Sequence, residues 1–211
     1  RYSHDGLRIE TETDDDGIGA HFLHLLHGAA PDDISARVMD VSLILYAEHE
    51  FNASTFTARV AASTLTDLHS CVTAAIGSLR GPLHGGANEQ VLKMLGEIGE
   101  ASRAKAWFED ALAQKKKIMG IGHRVYKVLD PRAPHLQKMA IKLTEELGEP
   151  KWIRMSERIA TIMREQKKLN ANVDFYSATV YYSLGIPTDL FTPIFAISRT
   201  AGWTAQVLEQ L

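Results

Sequence analysis

From Ile18 onward apolar side chains recur every three or four residues, and no stretch alternates apolar and polar residues over a strand's length. The chain therefore reads as a succession of amphipathic helices. A polar lead comes first, with TETDDD at 11–16 supplying acidic side chains that favour a helix N-terminus. Pro31 and the pair Asp32-Asp33 end the first helix and cap the next, which runs from about Ile34 through SARVMDVSLILYAEH. Its last part carries Val41, Leu43, Ile44, Leu45 and Tyr46 together, so burial inside a large domain or against a second subunit is expected. Asn52, Ser54 and Thr55 suit the cap of a further helix, and residues 53–80 hold two. The second of these, DLHSCVTAAIGSLRG, offers Ala74, Ala75, Gly77 and Ser78 for close helix–helix approach. Gly81-Pro82 then breaks the chain. Val91, Leu92, Leu95 and Ile98 define a helix with Asn88 and Glu89 in its first turn, and SRAKAWFEDALAQKKK follows, its basic end matching a helix C-terminus. Two helices lie within 135–169 around Gly148 and Pro150, another opens at NANVDFYSATVYYSLG, and TPIFAISRTAGWTAQVLEQL closes the chain. Without repeats or strand patterns, the fold class is all-α.

Composition narrows the function classes. The 211 residues are 45% hydrophobic and 23% charged, enough for a real core in one large or two small domains. Twenty-three basic against 26 acidic side chains give a net charge of −3, which leaves no basic excess for a nucleic-acid partner. No apolar run approaches a membrane span. The single cysteine, Cys71, has no internal disulfide partner, so a reducing, cytoplasmic setting is expected; its apolar helical context favours packing over a reactive thiol. The opening RYSHDGLRIE lacks both the plan of a signal peptide and an initiator methionine, and AQVLEQL stops in mid-helix, so the chain is expected to be a piece of a longer protein.

Candidate chemistry sits at the helix junctions. His84, in GPLHGGANEQV, stands just ahead of a helix, where the positive helix end favours a neutral ring able to donate to a developing oxyanion. The bland alternative is a histidine that fills the junction. His49, between Glu48 and Glu50, is either a donor aimed at an anion or a polar junction residue. Gly120-Ile121-Gly122 is half of a nucleotide-binding glycine pattern without the strand–helix alternation of a dinucleotide fold, yet a loop lined by Lys117, Arg124 and Lys127 suits phosphate. His123 follows it. Arg132, near a helix start, either forks onto a carboxylate or lies on the surface. Asp174 is either a plain cap or a base facing a cleft, and Arg199, alone in an apolar helix, requires an anion partner from protein or ligand. His21, His24 and His27, at every third residue, admit a metal reading, but no cysteine cluster or HExxH pattern accompanies them and packing roles are favoured.

In this order and spacing, AEHEFNASTFTARV, GPLHGGANEQV, GIGHRVYKVLDPRA, NVDFYSA and FTPIFAISRTAGW resemble the citrate synthase family over almost the entire chain. TDDDGIGAHFLHLLHG with LYAEHEFNAST is more similar to bacterial 2-methylcitrate synthases than to the mitochondrial type. The resemblance implies a two-domain helical fold around a cleft, with 1–83 and 184–211 in a large domain and 84–183 in a small one. It implies condensation of an acyl-CoA, acetyl or propionyl, with oxaloacetate, followed by thioester hydrolysis. His84, His123 and Asp174 are the implied catalytic trio. His49, Arg132 and Arg199 are the implied oxaloacetate ligands. Gly120, Ile121, Gly122, Lys127 and either Lys167 or Lys168 are the implied CoA contacts, with Lys168 preferred. The family uses no metal or other cofactor and pairs as homodimers through large-domain helices. Family members carry a further arginine in a C-terminal tail and an additional N-terminal portion. Both are absent from these 211 residues, so little or no synthase activity is expected of this stretch by itself, and an inactive helical fragment or regulatory module is the alternative function.

Overall fold

The computed structural model describes residue 6 and residues 8–81, 84–123 and 125–211. The polar lead in 1–5 and 7, the break at Pro82, the domain boundary at 83 and the phosphate-seating role of Arg124 lie outside the described residues. Helices account for the regular structure: α1 (Ile18–His27), α2 (Asp33–Tyr46), α3 (Ala53–Ala62), α4 (Leu68–Leu79), α5 (Ala87–Ile98), α6 (Ala104–Ala113), α7 (Ala133–Glu146), α8 (Lys151–Lys167), α9 (Val173–Ser183) and α10 (Phe191–Gln210). Short side chains set several starts. Asp32, Asn52 and Asp67 accept the N–H groups of Ser35, Thr55 and Ser70 at the heads of α2, α3 and α4, satisfying donors that a helix leaves open. Among the described residues the only β pairing is one isolated antiparallel bridge, Ile121 to Ala171.

Two sets of contacts organise the helices. In one, α3 lies along α4, and α10 crosses α2, α3 and α4, with α1 against α2. In the other, α9 packs on α5, α7 and α8, and α8 also meets α6. The sets touch where α2 meets α7 and where α10 meets α5. Helix α9 is buried almost all round from Val173 through Tyr181, as befits a helix at the centre of its set. Helix α10 comes so close to the end of α2 that a Cβ on Gly202 would overlap the Ala47 carbonyl, and the Gly202 N–H donates to that same carbonyl at 3.0 Å.

Three details differ from the sequence expectation. The end of α2 is not buried all round: Leu43 and Tyr46 are, but Ile44 is 69% exposed. Helix α6 stops at Ala113, short of the basic run, because Lys115 turns to a φ of 55° and Lys116 pairs instead with Glu97 at 2.6 Å. Ser54 and Thr55 lie inside α3, and Asn52 alone is its cap. The three early histidines have separate hydrogen-bond partners: His21 meets Thr13 at 2.8 Å, His24 meets Asp15 at 2.8 Å, and His27 donates to the Leu184 carbonyl at 2.9 Å. No described helix is long and apolar enough to cross a membrane.

Candidate active site

Helix ends converge on one cavity of about 660 Å³, a size suited to a small-molecule ligand. His49, His84, His123, Arg132, Asp174 and Arg199 all line it, together with Gly120, Ile121 and Gly122. Lys127 and Lys168 do not; the lysine on the wall is Lys117. Six polar groups from positions 49 to 199 thus meet in one place, which sequence spacing alone could not establish.

The chain reaches this arrangement by local rules. Gly120 takes a φ of 71°, and a Cβ there would press on Val91 and Phe175, so the loop before His123 can lie flat on α5 and α9. The loop is stapled by Gly122 N–H to the Asn170 carbonyl at 2.8 Å and Asn172 N–H to the Gly120 carbonyl at 2.9 Å. Asn172 also caps α9 by accepting the Asp174 N–H at 3.0 Å. Asp174 is therefore not the cap. Its carboxylate is free of that duty and accepts instead from the Tyr46 hydroxyl at 2.6 Å.

Hydrogen bonds place the proton on two of the imidazoles, His84 and His123. The Ser54 backbone N–H, which can only donate, reaches His84 Nε2 at 3.2 Å, and Ser54 Oγ lies 2.8 Å from the same atom. Nε2 thus carries the lone pair, and a neutral His84 carries its hydrogen on Nδ1. Burial first and Arg199 second lower the pKa of His84, so the ring is neutral near pH 7. The helix start contributes less than the sequence suggested, since α5 begins three residues further on, at Ala87. In His123, Nδ1 accepts from the N–H groups of Val125 and Tyr126 at 3.1 and 3.3 Å, which puts the hydrogen on Nε2. Burial and then Arg132 lower its pKa too. Nε2 lies 3.5 Å from an Arg132 guanidinium nitrogen, a longer contact than the two at Nδ1. His49 packs 5.1 Å from His123, ring to ring, and its Nε2 is buried without a hydrogen-bond partner among the described residues. A buried polar atom left open in this way costs free energy until a ligand meets it.

The arginines are held, not spent. Asp130, 2% exposed, grips Arg132 with both oxygens, at 3.0 and 2.9 Å, and also accepts the Val173 N–H at 3.1 Å. Burial opposes the charge of Arg132, but Asp130 outweighs it and keeps the guanidinium firmly protonated. Arg199, also 2% exposed, donates through Nε to the Tyr46 carbonyl at 2.7 Å and lies over the Phe195 ring. Burial and the repulsion of Arg132 lower its pKa to about 10, and no carboxylate among the described residues pairs with it. The cavity is thus a cationic, donor-rich pocket with two carboxylates, the exposed Glu50 and Asp174, and burial raises the pKa of Asp174 against the opposing pull of Tyr46 and Arg132. Tyr46 and Asp130 escaped the sequence reading. Their signals were a polar-tipped aromatic at the end of an apolar run and an acid two positions before Arg132, neither of which points to its partner.

An all-helical fold with a carboxylate, paired imidazole donors and two guanidinium groups around one cleft defines a site for acid–base chemistry on an anionic substrate. The chain belongs to the citrate synthase family: residues 1–211 match the model described as citrate synthase, C-terminal domain. It is 58% identical over 210 residues to a 2-methylcitrate synthase of Shewanella oneidensis, covering 100% of this chain and 56% of that protein. A citrate synthase structure from Pyrobaculum aerophilum is 45% identical with a TM-score of 0.91, covering 97% of this chain and 52% of that one. A ternary complex of carboxymethyl coenzyme A and oxaloacetate with the citrate synthase of Thermoplasma acidophilum is 35% identical with a TM-score of 0.88, over 97% of this chain and 55% of that one. The chain spans about half the length of these relatives.

Proposed function

We propose that this chain carries most of an active site that condenses an acyl-CoA, propionyl or acetyl, with oxaloacetate and releases a tricarboxylate and CoA. The observation that carries the proposal is the pairing of a carboxylate, Asp174, with a neutral imidazole, His84, whose Nδ1–H is left as a donor by the Ser54 N–H bound at Nε2. Asp174 takes a proton from the carbon beside the thioester carbonyl, and His84 donates a hydrogen bond to the enolate oxygen that forms. The enolate carbon attacks the keto carbon of oxaloacetate while His123 delivers its Nε2 proton to the keto oxygen. Water then cleaves the thioester. Arg132, Arg199 and the open Nε2 side of His49 hold the two oxaloacetate carboxylates. Gly120, Ile121 and Gly122 receive CoA, with Lys127 and Lys168 as outer phosphate partners. Acyl-CoA enters as substrate, and no metal or prosthetic group is invoked. The ternary complex of the Thermoplasma relative supports this pair of substrates.

The two sets of helix contacts support a small domain of 84–183 closing on a large domain that includes 1–83 and 184–211, with His84 at the hinge. A homodimer through large-domain helices and a cytoplasmic setting complete the proposal, the latter supported by the buried free thiol of Cys71. The test is thiol release by the full-length protein that carries this chain, with oxaloacetate and either acyl-CoA. Release that depends on oxaloacetate is expected, and its absence with both acyl-CoAs would overturn the proposal. The ratio of the two rates reports acyl preference, since one methylene in an apolar pocket is worth only about 1–3 kcal/mol.

A further inference from the structure

The end of α2 bears on the candidate base in a way that the family motifs do not specify. Tyr46, 1% exposed, donates its hydroxyl proton to Asp174 Oδ1 at 2.6 Å, and the Tyr46 hydroxyl oxygen lies 2.8 Å from Ser177 Oγ. Its ring is wedged edge-on against Phe195 at 4.9 Å between centroids, so the hydroxyl has little freedom to turn away. Its carbonyl meanwhile holds Arg199. Among the described residues no hydrogen bond reaches Asp174 Oδ2.

Resting on the condensation proposed above, we propose that Tyr46 is a positioning residue for Asp174: its hydroxyl locks one carboxylate oxygen and leaves the other as the basic atom. A carboxylate in a buried site is free to rotate or to take a proton unless a donor fixes it. The groups acting on Asp174 come from every side. Arg132, Asp130 and His123 face it from the loop before α7, Arg199 from α10, and Ser177 and Tyr181 share its own helix. Burial raises its pKa, and Tyr46 is the leading influence in the other direction. The phenol itself is pushed upward by burial and by the nearby carboxylate, so it remains the donor.

The test is Tyr46→Phe in the full-length protein, which keeps the ring and the carbonyl and removes only the hydroxyl. The acid limb of the kcat–pH profile should move to higher pH, and kcat at neutral pH should fall roughly tenfold to a hundredfold, with the KM for oxaloacetate nearly unchanged. On an Asp174→Asn background the same change should cost nothing further in kcat. A merely structural role would lower stability without moving the limb. If Tyr46→Phe does not fold, Ser177→Ala reads the same limb, which should shift in the same direction by less. An unmoved limb in either variant overturns the positioning role. Full turnover by Asp174→Asn alone would instead sink the assignment of the base, and so separates the two failures.

Discussion

At the scale of single residues, Arg132 is paired with Asp130, whereas Arg199 has no carboxylate partner among the described residues. Among the described residues, Asp174 and the exposed Glu50 are the carboxylates that line the cavity, and Asp174 is the proposed base. Asp174→Asn should therefore lower kcat on the order of 100- to 10,000-fold while oxaloacetate still binds, as titration calorimetry would record. Arg199→Ala should do the converse: losing charge-assisted bonds worth about 1.5–3 kcal/mol, it should weaken oxaloacetate binding roughly ten- to a hundredfold. Variants with these two effects exchanged would reverse the assignments. The histidines add a dependence on pH. His49, His84 and His123 all have pKa values lowered from 6.5 by burial first. The unfolded chain binds those protons more readily than the folded one, so their contribution to stability is complete above 6.5 and is lost as pH falls below it. Asp174, raised from 3.8, works in the opposite direction but only where its own carboxyl takes up a proton. The thermal midpoint should accordingly drop between roughly pH 7.5 and pH 5.5, and His49→Gln should flatten that drop. A midpoint constant over the range would show that the rings are not held neutral.

At the scale of elements, the crossing of α10 over the end of α2 sets where His49 sits. Gly202 is the contact point, and a methyl there has nowhere to go but into the Ala47 and Glu48 backbone. Gly202→Ala should force the helices apart, costing about 1–3 kcal/mol in denaturant unfolding and raising the KM for oxaloacetate more than that for acyl-CoA. Unchanged stability would mean that α2 ends with more slack than its geometry suggests. The elements themselves were largely legible in the sequence. Asp32, Asn52 and Asp67 stand three residues before the N–H groups they satisfy, and the apolar spacing of α5 repeats within one helix. What was hidden lay across distance: Tyr46 and Asp174 are 128 positions apart, and Arg199 and the Tyr46 carbonyl 153. Asp174 looked like a cap because it stands at a helix start, and only the structure shows Asn172 doing that work. The six polar residues that the family motifs single out line one cavity, and the lysine on its wall is Lys117, where the resemblance implied Lys127 and Lys168. Lys117 is there because α6 ends early and returns its basic run toward the loop.

At the scale of the whole molecule, large apolar side chains left exposed on neighbouring helices bear on assembly. Ile44 on α2, Phe56 and Val60 on α3, and Leu68 and Ile76 on α4 all face solvent in a single chain, and α3 and α4 lie side by side. Scattered singly, exposed apolar residues need no explanation, but several on neighbouring helices favour association. A two-fold axis is the simplest way to cover them, because one patch then buries its own copy and the contact closes without growing into a fibre. Gly77, where an added Cβ would meet nothing in this chain, and Ala74 leave α4 smooth enough for another helix to approach. The proposed homodimer should thus form through α2 and α4. Light scattering on the full-length protein at tens of micromolar should give twice the chain mass, and Ile76→Asp should weaken the pairing by at least about tenfold, because the carboxylate would be buried unpaired against its copy. Since Ile76 is 45% exposed in the single chain, that variant should keep its fold and its helical circular dichroism, so a shift in mass reports pairing alone. A strict monomer for the parent, or a dimer indifferent to Ile76→Asp, would place the interface on some other face.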